Sequence, residues 1–367
     1  VAATLKHFAG YAGTAGGRNR SPYPNGMRHL LDTEIPPFRY VIKNGRPASV
    51  MAAFNEIDGL PCHINHWMLK GVLRDRLGFD GLLVGDYQGL NLVRWYQKIG
   101  TNDADVGTQG TVNVHGGTTN LILGASTIDG NLTLTSGGEI TDDGIATVRG
   151  TLTATTDRLH KIITLNQLAV TGALTLAPNG TGAVTIVNAV GLNLAASTMG
   201  GTFSGTATAG NITQTGALDI EGVTTLVTSG PGADIDLAAN GTGNAFTGKL
   251  LITTTETGNA NDAYATIHGG TTDLKIGLST IEGNLTLLSG GEITDEGIAT
   301  VEGTLTATTN QLHKIITLNQ LAVDGAFTLA PNGTGAVTIV NDAGLILATS
   351  TMGGTFSGTA TAGNITQ

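Results

Sequence analysis

Residues 78–87 read Gly78-Phe79-Asp80-Gly81-Leu82-Leu83-Val84-Gly85-Asp86-Tyr87, and this stretch decides how the first hundred residues are interpreted. Its apolar run, residues 82–84, lacks the polar alternation of a strand with one wet face. It therefore predicts a buried parallel strand covered on both sides. The run ends abruptly in Asp86, and parallel α/β folds place their active sites at the carboxyl ends of strands. Asp86 is thus the first candidate for a functional carboxylate.

Two further strand-and-helix units precede this stretch. Strand patterns cover residues 1–8 and 48–54, and helix patterns cover residues 32–43 and 65–77, with another helix predicted over residues 90–96. This alternation predicts a parallel sheet with about three βα units. A closed (β/α)8 barrel needs eight strands and about 250 residues, so the predicted class for residues 1–104 is a partial α/β fold, a fragment of such a barrel.

The composition changes sharply near residue 107. Of the 28 acidic and 18 basic residues, roughly 19 and 6 follow that position, so the later region is strongly acidic and nucleic acid is not an expected partner. Cys62 is the only cysteine, which excludes an intramolecular disulfide. No run approaches the roughly 18 apolar residues of a membrane span. Val1 starts within a motif, as expected for a fragment.

Three segments carry a resemblance to a known family. They are "LKHFAGY" (5–11), "SVMAAFNEIDGLPCHIN" (49–65) and "LRDRLGFDGLLVGDYQG" (73–89). In order and spacing they resemble the N-terminal domain of glycoside hydrolase family 3, the β-glucosidase-like enzymes, over residues 1 to about 104. The resemblance implies a retaining glycosidase that uses two carboxyl groups and acts on β-linked glucosides or oligosaccharides, with no metal and no organic cofactor.

The resemblance also implies roles for individual residues. Asp86 matches the family's nucleophile, and Tyr87 stands where an aromatic ring packs against the sugar. Lys6 and His7 match a pair that holds sugar hydroxyls. The alternative for Asp86 is an ordinary helix N-cap, and for His7 a structural histidine.

Two more positions match the substrate-binding part of the pattern. Met51 matches a position that lines the sugar subsite, and Phe54 replaces a more usual tyrosine. Outside the family pattern, both would be ordinary core residues. The family's acid/base glutamate lies in a downstream domain that nothing after residue 104 resembles, so the chain is expected to bind sugar weakly and to hydrolyse it poorly or not at all.

Residues 105–367 are a duplicated array. Residues 115–214 recur as residues 268–367, with about 84 of 100 positions identical. Short alternating runs recur every 18 to 22 residues, which predicts an all-β region of β-solenoid type. Leu and Ile would point inward, Thr would face solvent, and Gly or Asn would take the corners. The Asn179-Gly180 pair favours a tight turn, and local hairpins are the alternative.

A rival interpretation follows from the array. Its general repeat pattern, rather than any specific motif, resembles repetitive regions of secreted bacterial adhesins or phage fibres. The chain would then be a secreted structural or adhesive solenoid with a passive glycosidase remnant, able to contact a cell surface or itself through the array. The protein is expected to be secreted, either extracellular or periplasmic.

Overall fold

The computed structural model describes residues 3–87, 89, 93, 111–256 and 262–367. Contacts divide the chain into two compact units. The first comprises residues 1–116, 127–135 and 148–151, and the second comprises residues 117–126, 136–147 and 152–367. The domain boundary predicted at residue 104 lies outside the described residues, as does the helix predicted over residues 90–96, except for Val93. Within the described ranges, no helix is long and apolar enough to cross a bilayer.

The first unit contains a three-stranded parallel sheet. Its strands are β1 (Thr4–Phe8), β2 (Ser49–Ala52) and β5 (Leu82–Val84), in the order β1-β2-β5. A short antiparallel hairpin, β3 (Glu56–Ile57) and β4 (Leu60–Pro61), lies between the second and third of them. The three parallel strands fall where the sequence predicts them, each within the predicted range.

The connection from β1 to β2 is helical from Met27 to Gly45. It consists of α1 (Met27–His29), a π-helical segment (Leu30–Glu34) and α2 (Ile35–Gly45). The helix therefore begins five residues before the predicted start at residue 32. Pro36 and Pro37 have no N–H to donate, so the regular i to i−4 pattern is interrupted near the predicted start, and the wider π-turn lies directly before them.

The connection from β2 to β5 carries a π-helical segment, Trp67–Arg76, inside the predicted range 65–77. Short 3-10 turns complete the unit: Tyr11–Gly13, Ala15–Gly17 and Cys62–Ile64. These helices and the sheet enclose one core, whose fully buried side chains include Phe8, Leu30, Ile35, Val50 and Met68.

One prediction for β5 is wrong. The apolar run was expected to be covered on both faces, yet Leu82 is 37% exposed and Leu83 and Val84 are only half-buried. The reason lies in the sheet order, because β5 has a strand neighbour on one side only in the described sheet. Its apolar composition therefore does not report complete burial.

The second unit is a parallel β-solenoid, which confirms the all-β prediction for the repeats. Two long sheets and a short one run along it, and the strands of successive coils pair in parallel within each sheet. The first long sheet contains Leu152–Thr156, Leu174–Ala177, Leu192–Leu194, Ile212–Gln214, Ile235–Leu237, Ala265–His268, Leu285–Ser289, Leu305–Thr309, Ala326–Ala330, Leu345–Leu347 and Ile365–Thr366.

The second long sheet contains Leu121–Leu123, Ile140–Asp142, Ile163–Val170, Val184–Asn188, Phe203–Ala207, Thr224–Thr228, Leu250–Thr253, Leu274–Ile276, Ser279–Ile281, Ile293–Asp295, Ala299–Val301, Ile316–Val323, Val337–Asn341 and Phe356–Ala360. The short sheet contains Ser197–Met199, Leu218–Ile220 and Ala245–Phe246, and a 3-10 turn spans Gly241–Gly243. The remaining strands are Thr111–His115, Ser126–Ile128, Asn131–Ser136 and Ala146–Val148; residues 111–115 pair in parallel with residues 131–135 in the first unit.

Alternation along most of the solenoid strands follows the predicted pattern, although the final strands Phe356–Ala360 and Ile365–Thr366 are largely exposed. In Leu152–Thr156, Leu152 and Ala154 are buried while Thr153 and Thr155 are half-exposed. The hairpin alternative for Asn179-Gly180 is wrong, since the flanking strands belong to two different parallel sheets. Gly180 instead takes a corner with a φ of 68°, a left-handed conformation that glycine adopts without strain.

Polar residues also point inward, which the prediction for Asn and Thr did not include. Asn188, the last residue of the strand Val184–Asn188, is fully buried. Its amide exchanges two hydrogen bonds of 2.8 Å with the backbone of Val170 and donates a third, of 2.7 Å, to the carbonyl of Gly191. Asn341 makes the equivalent three contacts in the second copy, at the same distances. The two copies therefore repeat this local structure, as the near-identity of the repeats predicts.

Candidate active site

Residues predicted to act together meet at one edge of the first unit's sheet. His7 lies near the end of β1, Met51 near the end of β2, and Asp86 two residues after β5. Because the three strands are parallel and Met51 is in register with Val84, their carboxyl ends coincide. The backbone therefore brings these three positions to the edge that the sequence predicts for a functional site.

The Asp86 carboxylate is held by two neighbours. The Nε2 atom of His7 lies 3.3 Å from its Oδ2, and the backbone N–H of Tyr87 donates to its Oδ1 at 2.7 Å. The two side chains are mostly buried, with 21% of His7 and 15% of Asp86 exposed. The His7 ring packs in turn against Tyr11, with centroids 4.6 Å apart and ring planes tilted by 34°. These contacts fix the carboxylate while leaving part of it open to solvent.

The other predicted residues have different surroundings. Phe54 is half-buried between the Arg20 guanidinium, 5.1 Å from its ring, and the His63 ring at 5.9 Å. Lys6 is exposed, and within residues 3–87 no ion pair joins it to Asp86. The Tyr87 side chain is 77% exposed and so packs on little of the protein. The structure thus joins His7 to Asp86 directly, while Lys6 and Tyr87 reach outward.

His63 is a site residue that the sequence interpretation missed. It lies in the 3-10 turn Cys62–Ile64, is buried, and accepts a hydrogen bond of 3.0 Å on Nε2 from the backbone N–H of Asp86. Burial lowers the pKa of His63 to about 4, although the Asp86 charge and the Ala53 carbonyl oppose that shift. The imidazole is therefore neutral near pH 7. Its contact spans 23 residues and involves a backbone atom, so no local motif points to it.

Acidification is expected to destabilise the first unit through His63. In the unfolded chain the pKa of this imidazole returns to about 6.5, so the unfolded state binds a proton between pH 6.5 and 4 that the folded state does not bind. Stability from this group is complete above pH 6.5, and the free energy of unfolding should fall by roughly 3 kcal/mol on the way down to pH 4.

Urea unfolding followed by tryptophan fluorescence measures this, because both tryptophans, Trp67 and Trp95, lie in the first hundred residues. Other titrating groups contribute equally to the native chain and to a His63→Leu variant. The difference between their pH profiles isolates His63, and identical profiles from pH 6.5 to 4 would contradict the prediction.

Cys62 is a second buried group beside this site. Its thiol lies 3.7 Å from the Ala9 carbonyl oxygen, and burial raises its pKa to about 12. A thiol that is protonated at neutral pH is neither a nucleophile nor a metal ligand. Cys62 therefore contributes packing to the core.

Comparisons with known proteins match two parts of the chain to two different families. The family described as "Glycosyl hydrolase family 3 N terminal domain" matches residues 1–109, and "Repeats of unknown function (DUF5649)" match residues 109–177, 181–253 and 260–332. A β-xylosidase of Formosa agariphila is 36% identical over 110 residues, which are 30% of this chain and 15% of that protein. A periplasmic β-glucosidase of Salmonella typhimurium is 36% identical over 87 residues, covering 24% and 11%.

Solved structures match a similar share of the chain. A β-glucosidase from Erythrobacter marinus is 34% identical, with a TM-score of 0.29, over 30% of this chain and 15% of that one. The chain thus spans only 11% to 15% of the length of these relatives. Residues 1–109 match the glycosyl hydrolase family 3 N-terminal domain, and by the larger part of its length the chain belongs to the family of DUF5649 repeats.

Proposed function

We propose that the first unit carries the nucleophile of a retaining β-glycosidase site, with Asp86 as the attacking group. The observation that carries this proposal is the Asp86 carboxylate at the carboxyl ends of three parallel strands, fixed by His7 and by the Tyr87 amide. In the first half of a double displacement, a carboxylate oxygen bonds to the anomeric carbon. The bond to the departing oxygen breaks, and that oxygen leaves with the electron pair.

The sheet β1-β2-β5 would then be three consecutive strands of a (β/α)8 barrel. Support comes from their parallel order and from the helical connections between them. Eight strands are needed to close such a barrel, and the relatives are several times longer than the matched region. Residues 1–104 would therefore form only a segment of the proposed barrel.

The proposed substrates are β-linked glucosides or xylosides, because the similar proteins are named β-glucosidase and β-xylosidase. Lys6 would meet sugar hydroxyls from its exposed position, and Met51 and Phe54 would line the sugar subsite. The Tyr87 ring is free to pack against a sugar face, since most of it is exposed. No residue of this chain is assigned the acid/base role.

The missing acid suggests a selective test. A 2,4-dinitrophenyl 2-deoxy-2-fluoro-β-glucoside has a leaving group that departs without protonation, and its fluorine slows hydrolysis of the glycosyl-enzyme. The native chain should gain one fluoroglucosyl adduct, measured by intact mass and located on Asp86 by peptide mapping. Methyl β-glucoside, whose leaving group needs an acid, should not be turned over measurably.

Each arm of the test has a decisive outcome. A chain that takes up no label from the glucoside or from the matching xyloside contradicts the proposed function and leaves the structural role of the solenoid as the better hypothesis. A label on another residue contradicts the assignment of Asp86. Rapid release of methanol would show that an acid/base residue is present after all.

A further inference from the structure

The backbone around Asp86 packs against the ring of His63. The Asp86 N–H donates to Nε2 at 3.0 Å, and Phe54 lies on the ring with centroids 5.9 Å apart. Gly89 passes so close to the ring that a Cβ there would lie only 1.9 Å from Nε2, whereas a Cβ on Gly85 would make an ordinary contact, 3.5 Å from Cδ2. Glycine at position 89 therefore lets the chain approach the imidazole closely.

The hydrogen bond fixes the tautomer of the ring. A backbone N–H only donates, so Nε2 must be the unprotonated nitrogen, and the ring proton is on Nδ1. The carbonyl of Ala53 interacts with the ring and is the natural acceptor for that proton. The imidazole thus bridges the segment that follows β2 and the segment that follows β5.

Three contacts then define the position of Asp86. His63 holds its backbone nitrogen, Tyr87 donates to one carboxylate oxygen, and His7 lies beside the other. His63 touches no carboxylate oxygen, so it acts on the carboxylate only through the backbone.

We infer that His63 is a positioning residue, which holds the backbone of Asp86 so that its carboxylate is presented to the anomeric carbon of a β-glycoside. This inference rests on the proposed function of Asp86. A displacement of a reacting group by about 1 Å can cost about a hundredfold in rate, so loss of the contact should slow attack more than it weakens sugar binding.

Two variants separate positioning from packing. His63→Gln can keep an acceptor oxygen near the place of Nε2, whereas His63→Leu fills similar volume without an acceptor. With the activated fluoroglucoside, His63→Leu should lower the rate constant of labelling by about ten- to a hundredfold, with the inactivator's binding constant within about threefold of native. His63→Gln should recover most of the rate.

His66→Leu is the matched control, because His66 is exposed three residues away and has no part in the proposed site. It should label at the native rate, and all variants should share the native tryptophan fluorescence. Equal rates for His63→Leu and the native chain would overturn the inference. Equally slow labelling of the Leu and Gln variants would also overturn it, since ring packing would then be the cause.

A measurement that needs no reactivity keeps this test independent of the proposed function. Scalar coupling across the N–H···N hydrogen bond, between the Asp86 amide and His63 Nε2, should be visible in 15N-labelled native protein at pH 7 and absent in His63→Leu. If the coupling is missing, the positioning inference fails. If it is present while the native chain takes up no label, the proposed glycosidase chemistry fails and the contact stands as structural.

Discussion

Asp86→Asn is expected to abolish covalent labelling by the activated fluoroglucoside, with a rate at least about a thousandfold below that of the native chain. A neutral amide is a poor nucleophile toward the anomeric carbon. The substitution preserves the size of the side chain, and the remaining amide oxygen still accepts from the Tyr87 N–H, whose donor lies 2.7 Å from Oδ1. Intact mass over time, with tryptophan fluorescence to verify folding, measures the effect.

Asp80→Asn is the matched control for this prediction. Asp80 is an exposed carboxylate six residues earlier, on the loop before β5, and the same chemical change there should leave labelling unaltered. An Asp86→Asn chain that still labels at the native rate would show that another residue is the nucleophile. Equal losses in both variants would point to a general effect of negative charge.

Asn188→Ala is expected to destabilise the central coils of the solenoid by about 3 to 5 kcal/mol. The substitution leaves the N–H and carbonyl of Val170 and the carbonyl of Gly191 without their side-chain partner. Each buried polar group left without a hydrogen bond costs about 1 to 3 kcal/mol. Hydrogen exchange at the Val170 amide, together with the urea midpoint followed by far-UV circular dichroism, measures the loss.

Two comparisons define that effect. Thr185→Ala alters a half-exposed side chain of the same strand and should change stability by no more than about 0.5 kcal/mol. Asn341→Ala removes the same contacts near the last coils, where opening involves few neighbouring coils, so its effect should be confined to that end. Unchanged exchange at Val170 in Asn188→Ala would show that water replaces the amide without cost.

Much of the fold follows from period-two patterning. Inward Leu and Ile at alternate positions predict each solenoid strand, because a strand's side chains point to opposite faces in turn. The same rule places Asn188 inward, after Val184 and Ile186, so the pattern held the signal for a buried amide. Its partner on Val170 could not be predicted, since that contact depends on how one coil stacks on the next.

The candidate site could likewise be predicted only in part. Asp86 and His7 could be predicted because strand ends and a three-segment motif locate them. His63 could not, since its role arises from a backbone atom 23 residues away that only the folded chain brings near. The exposure of β5 also escaped prediction, because an apolar composition does not reveal how many neighbours a strand has.

The two copies of the repeat are separated along the solenoid by a whole number of coils. Leu152–Thr156 and Leu305–Thr309 are equivalent strands, and seven steps of the sheet order separate them. At about 4.8 Å per step, this is a translation of about 34 Å along the sheet, and the buried Leu152 and Ala154 recur as the buried Leu305 and Ala307. Unequal recombination between the copies would thus add or delete a complete block whose ends fit the existing junctions. The gene can therefore lengthen or shorten this region in fixed increments without inventing a new interface.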